Sequence, residues 1–364
     1  MTSPRVLSIQ SHMVSGYCGN KAATFPLQLL GFDVDVINTV NFSNHTGYPS
    51  WTGEKATGEQ LTKLYEGLHA NGLVEYTHLL TGYIGSAQNL AAVTKIIQDL
   101  QSHGNPFFVL DPVMGDNGEL YVQPDVIPLY RELMKHAGAV TPNQFEAETL
   151  TDKKITDVKS CFEVIDILHN AGVKNVIITS VTLSPRDIAA HAITPATNGG
   201  QQRQEGGEGK DDMSMYCVCS SRRGDQDEKA RVFAIGFPTY DGYFTGTGDL
   251  FSALLVARLF EALEAESSSL TDRGASGEAL NSDGLGKEPY TALAQACVKV
   301  VATMKAVVLR TFLAQKGITS RGQMDRTQAS SAAEVKRCEL RLIQSKVDIE
   351  KPDVKDMDAI ELQL

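Results

Sequence analysis

Through its first half the chain alternates short apolar runs with segments of helical periodicity, and this alternation restricts the fold more than any single motif does. Val6–Ile9, Val34–Val40, Tyr76–Thr81, Phe107–Leu110, Ala139–Val140 and Val176–Thr179 read as strands. Asn20–Leu30, Glu59–Ala70, Gln88–Ser102, Asp125–Lys135 and Cys161–Asn170 read as helices. In the third, Leu90, Val93, Ile96, Ile97 and Leu100 form an apolar stripe, and Gly31 is a natural cap for the end of the first. Strand–helix units joined by short loops imply a central, mostly parallel sheet covered by helices on both faces. Ligands of such sheets bind beyond the carboxyl ends of the strands, where the helices begin. Polar clusters stand at those ends: Ser8–Ser11, Thr81-Gly82-Tyr83, Asp111-Pro112 and Thr179-Ser180.

The second half continues with strand-like Met213–Val218 and Val232–Ile235 and a helical stretch over about 290–314. Residues 195–212 and 264–288, rich in Gly, Ser and polar side chains, lack apolar periodicity and read as flexible surface insertions. Residues 1–364 are therefore expected to form one domain. With 42% hydrophobic residues a substantial core is available, and a net charge of −11 argues against a nucleic-acid partner. No uninterrupted apolar stretch long enough for a bilayer and no export signal are found, so a cytoplasmic protein is expected. The six cysteines show no zinc spacing and are expected to be reduced, with Cys217 and Cys219 on one face of a strand.

One turn carries chemistry. Gly246-Thr247-Gly248-Asp249 opens a strongly apolar helical run. Its glycines let the backbone approach a ligand, and the free amides of the first helical turn favour an anion. Asp249 at the edge of such a hole either caps the helix or serves as a general base for phosphoryl transfer. The turn is neither a Walker loop nor a dinucleotide fingerprint. Asp111 and Asp116, just past a buried strand, offer hard oxygens for Mg²⁺ or merely make a solvated turn. Asn143 and Glu146, three residues apart, face the same way on a first helical turn, where Glu146 either holds metal-bound water or complements the helix dipole.

Together these segments resemble the ribokinase-like superfamily, and closely its pyridoxal kinase family. The similarity runs through Arg5–His12, Gly19–Gln28, Phe42–Tyr48, Leu80–Tyr83, Thr141–Glu148, Gly246–Phe251 and Leu340–Lys346. It implies ATP-dependent phosphorylation of the 5′-hydroxyl of pyridoxal, pyridoxine and pyridoxamine. It implies that Ser11, Thr46 and Tyr83 hold the pyridine ring with Trp51 and Cys18 lining the pocket. Asp249 would be the general base, and Gly246, Thr247 and Gly248 the anion hole. Asp116, Tyr121, Asn143, Glu146, Thr179, Ser180 and Thr247 would serve ATP. Asp111, Asp116, Thr141, Glu146 and Thr179 would serve Mg²⁺ and a monovalent cation, K⁺. A homodimer is implied as well.

The chain departs from the family pattern at Cys18, where an aliphatic side chain is usual, and in its two insertions. A hydroxymethylpyrimidine kinase of the same superfamily shares the Gly-Thr-Gly-Asp turn but not Phe42–Tyr48 and Thr81–Tyr83. A catalytically silent vitamin binder is the other rival, opposed by the retention of Asp249, Asp111, Asp116 and Glu146. His45 reads as a loop residue supporting Thr46.

Overall fold

Among the described residues, six parallel strands, in the spatial order 33–42, 5–13, 78–81, 107–110, 139–140 and 175–183, form the centre of a ten-stranded sheet. The computed structural model describes residues 3–193, 213–222, 229–275, 290–316 and 331–364. The strands are β1 (Arg5–Met13), β2 (Asp33–Phe42), β3 (Gly53–Lys55), β4 (His78–Thr81), β5 (Phe107–Leu110), β6 (Gly115–Asp116), β7 (Glu119–Leu120), β8 (Ala139–Val140), β9 (Asn175–Leu183), β10 (Ser214–Ser221), β11 (Arg231–Phe237) and β12 (Ile360–Leu362). Antiparallel β10, β11 and β12 extend one edge and antiparallel β3 the other. β6 and β7 make a separate small hairpin.

Helices α1 (Asn20–Leu29), α2 (Gly58–Ala70), α3 (Ala87–His103), α4 (Val126–Met134), α5 (Gln144–Thr151), α6 (Val158–Asn170), α7 (Pro185–His191), α8 (Thr247–Ala275), α9 (Ala292–Lys316), α10 (Ala332–Arg337) and α11 (Lys346–Glu350) cover both faces. One core joins the sheet to α2 through α7 and contains the fully buried Leu61, Leu90 and Val93. The other joins it to α1, α8 and α9, with Leu27, Leu254 and Val300 at its centre. The architecture is the three-layer α/β/α expected, and its buried strands are nearly continuous apolar runs because both faces are covered. Gly31 ends α1 at φ 90° with no side-chain neighbour, as a left-handed cap should.

Two readings change. The stretch read as a loop from residue 264 is helical to Ala275, because Glu264, Ala265 and Glu266 sustain helix and Ser267 and Ser268 impose no stop. The rest of that insertion, and 195–212, lie outside the described residues. In addition, Ala292–Gln315 is long and apolar enough to cross a membrane by length and composition. It packs against α8, β10 and β11, so its apolar face is core, and Lys299, Lys305 and Arg310 interrupt it. All six cysteines are buried and free; Cys217 and Cys219 share the β10 face turned to α9, where they meet Cys297.

Candidate active site

The carboxyl ends of the parallel strands open into a single cleft of about 1130 Å³, and every residue assigned a site role above lines it. Ser11 arrives on the end of β1, at the level where pairing with β2 slips by one residue between Gln10 and His12. Thr46 and Trp51 lie on the excursion between β2 and β3, with the Trp51 ring 4.4 Å from that of Phe42. Tyr83 follows β4, and Thr39 donates its hydroxyl to the Tyr83 carbonyl at 2.7 Å. Ser11, Thr46, Tyr83, Trp51 and Cys18 thus share one side of the cleft with Met13, Val40 and Phe42. Cys18 is buried, and its thiol pKa is pushed well up, by burial first and then by the charges of Asp249 and Glu339. Burial and neighbouring carboxylates thus both disfavour its thiolate.

At the centre stands the first turn of α8. Gly246 has φ 81°, and a Cβ there would lie 2.1 Å from the Tyr17 carbonyl oxygen. That contact is why glycine is required. Asp249 does not cap its own helix. Its Oδ2 accepts the Gly19 amide at 2.7 Å, tying the start of α8 to the start of α1. Burial raises its pKa, partly opposed by that hydrogen bond. A Cβ on Gly248 would lie 3.7 Å from Asp111 Oδ2, so the Asp111 carboxyl stands close to this turn.

Asp111, at the end of β5, is buried, and its Oδ2 has no hydrogen-bond partner; Thr81 Oγ1, at the end of adjacent β4, has none either. Burial, then the charges of Glu146 and Asp249, push the Asp111 pKa well up. Thr141 is buried with its hydroxyl 2.8 Å from that of Ser252. Thr179 and Ser180 lie within β9, and Thr179 donates both N–H and hydroxyl to the Pro142 carbonyl.

Asn143 and Glu146 form a reciprocal capping box that starts α5. Glu146 does more than complement a helix dipole. Its Oε2 accepts Asn143 N–H at 3.0 Å, while Oε1 accepts the amides of Met114 at 2.9 Å and Gly115 at 3.4 Å. Asn143 Nδ2 donates to Gly115 O at 2.8 Å. This side-chain pair therefore fastens the Asp111–Asp116 segment to α5. Burial raises the Glu146 pKa to about 7 despite those amides. Beyond it, Asp116 and Tyr121 flank the β6–β7 hairpin, whose turn residues Asn117 and Gly118 both have positive φ. That hairpin was missed because two-residue strands carry no periodicity. Its signal was the Asn117-Gly118 pair.

The sequence reading also missed Glu339, which contacts His45 and Tyr48 of the cleft lining. Its side chain is 8% exposed and meets His45 Nε2 at 3.3 Å. Only the adjoining Leu340–Lys346 match drew notice to this region, and an isolated acid has no sequence pattern of its own.

A parallel sheet with a glycine-rich helix start beside several carboxylates, at the strand ends, defines a small-molecule phosphotransferase of the ribokinase-like class. Residues 58–205 match a family model described as phosphomethylpyrimidine kinase. Nearly the whole chain is similar to pyridoxal kinases: it is 39% identical to that of Arabidopsis thaliana (96% of this chain, 93% of that one). It is 37% identical to the Homo sapiens enzyme, over 96% of each. The solved pyridoxal kinase from Leishmania donovani in complex with ADP and pyridoxamine superposes with TM-score 0.72 at 30% identity, over 99% of both chains. The chain belongs to the pyridoxal kinase family.

Proposed function

We propose that this enzyme transfers the γ-phosphoryl group of ATP to the 5′-hydroxyl of pyridoxal, pyridoxine and pyridoxamine, giving pyridoxal 5′-phosphate or its congeners in vitamin B6 salvage. The observation that carries the reading is the position of Asp249. It stands at the start of α8 in the cleft lined by Ser11, Thr46 and Tyr83 and by Asp111, Asp116, Asn143 and Thr179, bonded to Gly19 and near enough to Asp111 for its charge to raise that carboxyl's pKa. Ser11, Thr46 and Tyr83 bind the hydroxyls and ring nitrogen of a neutral vitamer, and Trp51, Cys18 and Met13 supply apolar walls. Asp249 takes the proton from the 5′-hydroxyl as the phosphoryl group is attacked. The amides of Gly246, Thr247 and Gly248 then stabilise the charge on the transferred group. Asp116, Asn143, Thr179, Ser180 and Tyr121 hold ATP from the other side.

The donor set also fits cations. The partnerless Oδ2 of buried Asp111 is a hard oxygen, and the charges of Glu146 and Asp249 bear on the same carboxyl. Mg²⁺ would be held by Asp111, Asp116 and Glu146, and K⁺ by Asp111, Thr141 and Thr179. Such ions neutralise phosphate charge. The homodimer and the cytoplasmic setting belong to the same reading; six reduced thiols suit a reducing compartment.

The test is ATP-dependent phosphorylation of the three vitamers and of hydroxymethylpyrimidine in parallel, read by mass spectrometry. Turnover of the vitamers is expected. Phosphorylation of the pyrimidine alone, the activity suggested by the 58–205 match, or no phosphorylation at all, overturns the reading.

A pH dependence follows from the raised carboxyls. Glu146 goes from 4.5 to about 7 on folding, and Asp111 also rises. The Glu146 contribution to stability is fully present below pH 4.5 and is lost as pH climbs through about 7, and that of Asp111 is likewise present at low pH and lost as pH rises. Bound cations oppose that loss. Thermal unfolding should therefore show a larger rise in Tm with K⁺ and Mg²⁺ at pH 8 than at pH 5, relative to tetramethylammonium at equal ionic strength. Equal rises at both pH values contradict the cation assignment.

A further inference from the structure

Glu339 is the one buried carboxylate beside the cleft that the phosphoryl-transfer scheme leaves without a task. It follows α10 and is held from behind by buried Leu340 and Leu342, with the Arg341 amide donating to Thr311 Oγ1 at 3.1 Å. Its two oxygens gather three donors from two other parts of the chain. Oε2 accepts the Tyr17 amide at 2.9 Å, and Oε1 accepts the Tyr48 hydroxyl at 3.0 Å and faces His45 Nε2 at 3.3 Å. Burial favours its neutral form, but the hydrogen bonds from His45, Tyr17 and Tyr48 outweigh that and hold its pKa below the usual range. Two glycines make the approach possible. A Cβ on Gly16 would lie 2.3 Å from Glu339 Oε1, and one on Gly47 would lie 2.4 Å from the Tyr243 hydroxyl and 2.9 Å from His45 Nδ1.

The imidazole of His45 is committed at both nitrogens. Nδ1 accepts the Gly47 amide at 3.1 Å, so the proton of the neutral ring sits on Nε2, where it points at Glu339. His45 then has no ring nitrogen left to take a proton from a substrate hydroxyl. Its neighbours are Thr46 on one side and, through Tyr48, the rest of the 43–52 excursion that ends at Trp51.

The geometry points to Glu339 as a positioning residue that latches the Thr46-bearing loop to the segment between β1 and α1, and so sets affinity for the phosphoryl acceptor without touching it. The inference rests on the assignment of this side of the cleft to the vitamer. A carboxylate is needed because all three partners donate, and a glutamine must turn its NH₂ toward one of them. The effect should fall on the acceptor, because none of the three donors belongs to the ATP side of the cleft.

The experiment compares Glu339→Gln, Glu339→Ala and Tyr48→Phe with the wild-type chain. Acceptor binding is read without catalysis from the fluorescence of Trp51, the chain's single tryptophan, on titration with pyridoxine. Steady-state KM values for pyridoxal and ATP are measured alongside. Glu339→Gln is expected to weaken pyridoxine binding and raise KM for pyridoxal by roughly 10-fold or more, the loss of a charge-assisted hydrogen bond. KM for ATP should stay within about 2-fold, and Tyr48→Phe should show a smaller acceptor effect in the same direction. Full rescue by Gln in place of Ala would mean that Glu339 serves by size alone, and equal losses for both substrates would mean a general structural role; either overturns the inference. Should Glu339→Ala fail to fold, Glu339→Gln and Tyr48→Phe still decide. A wild-type chain inactive on every vitamer is a failure of the functional reading instead, and Trp51 titration still reports whether the latch governs pyridoxine binding.

Discussion

Asp249→Asn is expected to reduce kcat by roughly 10²–10⁴-fold, the range for removal of a positioned general base, while Kd for pyridoxine and for ATP stays within a few-fold. The size of the effect comes from the geometry at the start of α8. The carboxyl lines the cleft and is anchored by a 2.7 Å bond from the Gly19 amide. An asparagine can turn its carbonyl oxygen to the same amide, so the shape of the site survives and only basicity is lost. Burial lifts the Asp249 pKa above its usual 3.8, which strengthens it as a base relative to an exposed carboxylate. Asparagine also removes one of the charges that push Asp111 upward. The variant should therefore unfold at a Tm no lower than the wild type at pH 8, since the site is arranged for chemistry at some cost in stability. Single-turnover kinetics, ligand titration and thermal unfolding check all of this. Near-normal turnover would remove Asp249 as the base, and a fall in Tm together with both affinities would make it a structural residue.

How far such a site can be read in advance depends on whether its signal is local. The strands and helices of the parallel half were legible because each is a run of apolar residues at a period that only one backbone geometry accommodates. The strand-end clusters at Ser11, Tyr83, Asp111, Thr141 and Thr179 followed from topology, and the structure gathers them in one cleft. Local ambiguity remained where one residue type serves two purposes. Asp249 reads equally as a helix cap or a base from its local sequence, and its bond from Gly19, 230 residues away, belongs to no local pattern. Glu146 could complement a helix dipole or hold water, whereas its oxygens accept amides from Met114 and Gly115, distant in sequence. Glu339 was invisible for the same reason taken further, since Tyr17 and Tyr48 lie some 300 residues away (322 and 291). The end of α8 was misjudged because serine and glutamate suit loops and exposed helices alike, and only the preceding helix decides which.

The second large effect is expected at Gly246. An alanine there must accept φ 81° and a Cβ placed 2.1 Å from the Tyr17 carbonyl oxygen, which is backbone and cannot swing aside as a side-chain tip would. The turn has to move away from the segment Tyr17–Gly19. That segment carries the Gly19 amide bound to Asp249 and includes Cys18 of the cleft lining, so one added methyl group is expected to displace base, anion hole and acceptor pocket together. Displacements of about 1 Å at a reacting centre cost about 10²-fold in rate, and kcat/KM for Gly246→Ala should fall at least that far with either substrate varied. Strain of a left-handed backbone adds roughly 1–2 kcal/mol of destabilisation. The two contributions separate with Gly31→Ala. Gly31 has φ 90° but nothing within 4 Å of an added Cβ, and it lies at the opposite end of α1 from the Gly19 amide. Gly31→Ala should therefore lower Tm through backbone strain alone and leave kcat and both KM values unchanged. If Gly246→Ala loses no more activity than Gly31→Ala, the close approach of Tyr17 to the anion-hole turn is not what aligns the site. A large loss in Gly246→Ala alone identifies that contact, and not glycine flexibility, as the reason for the residue.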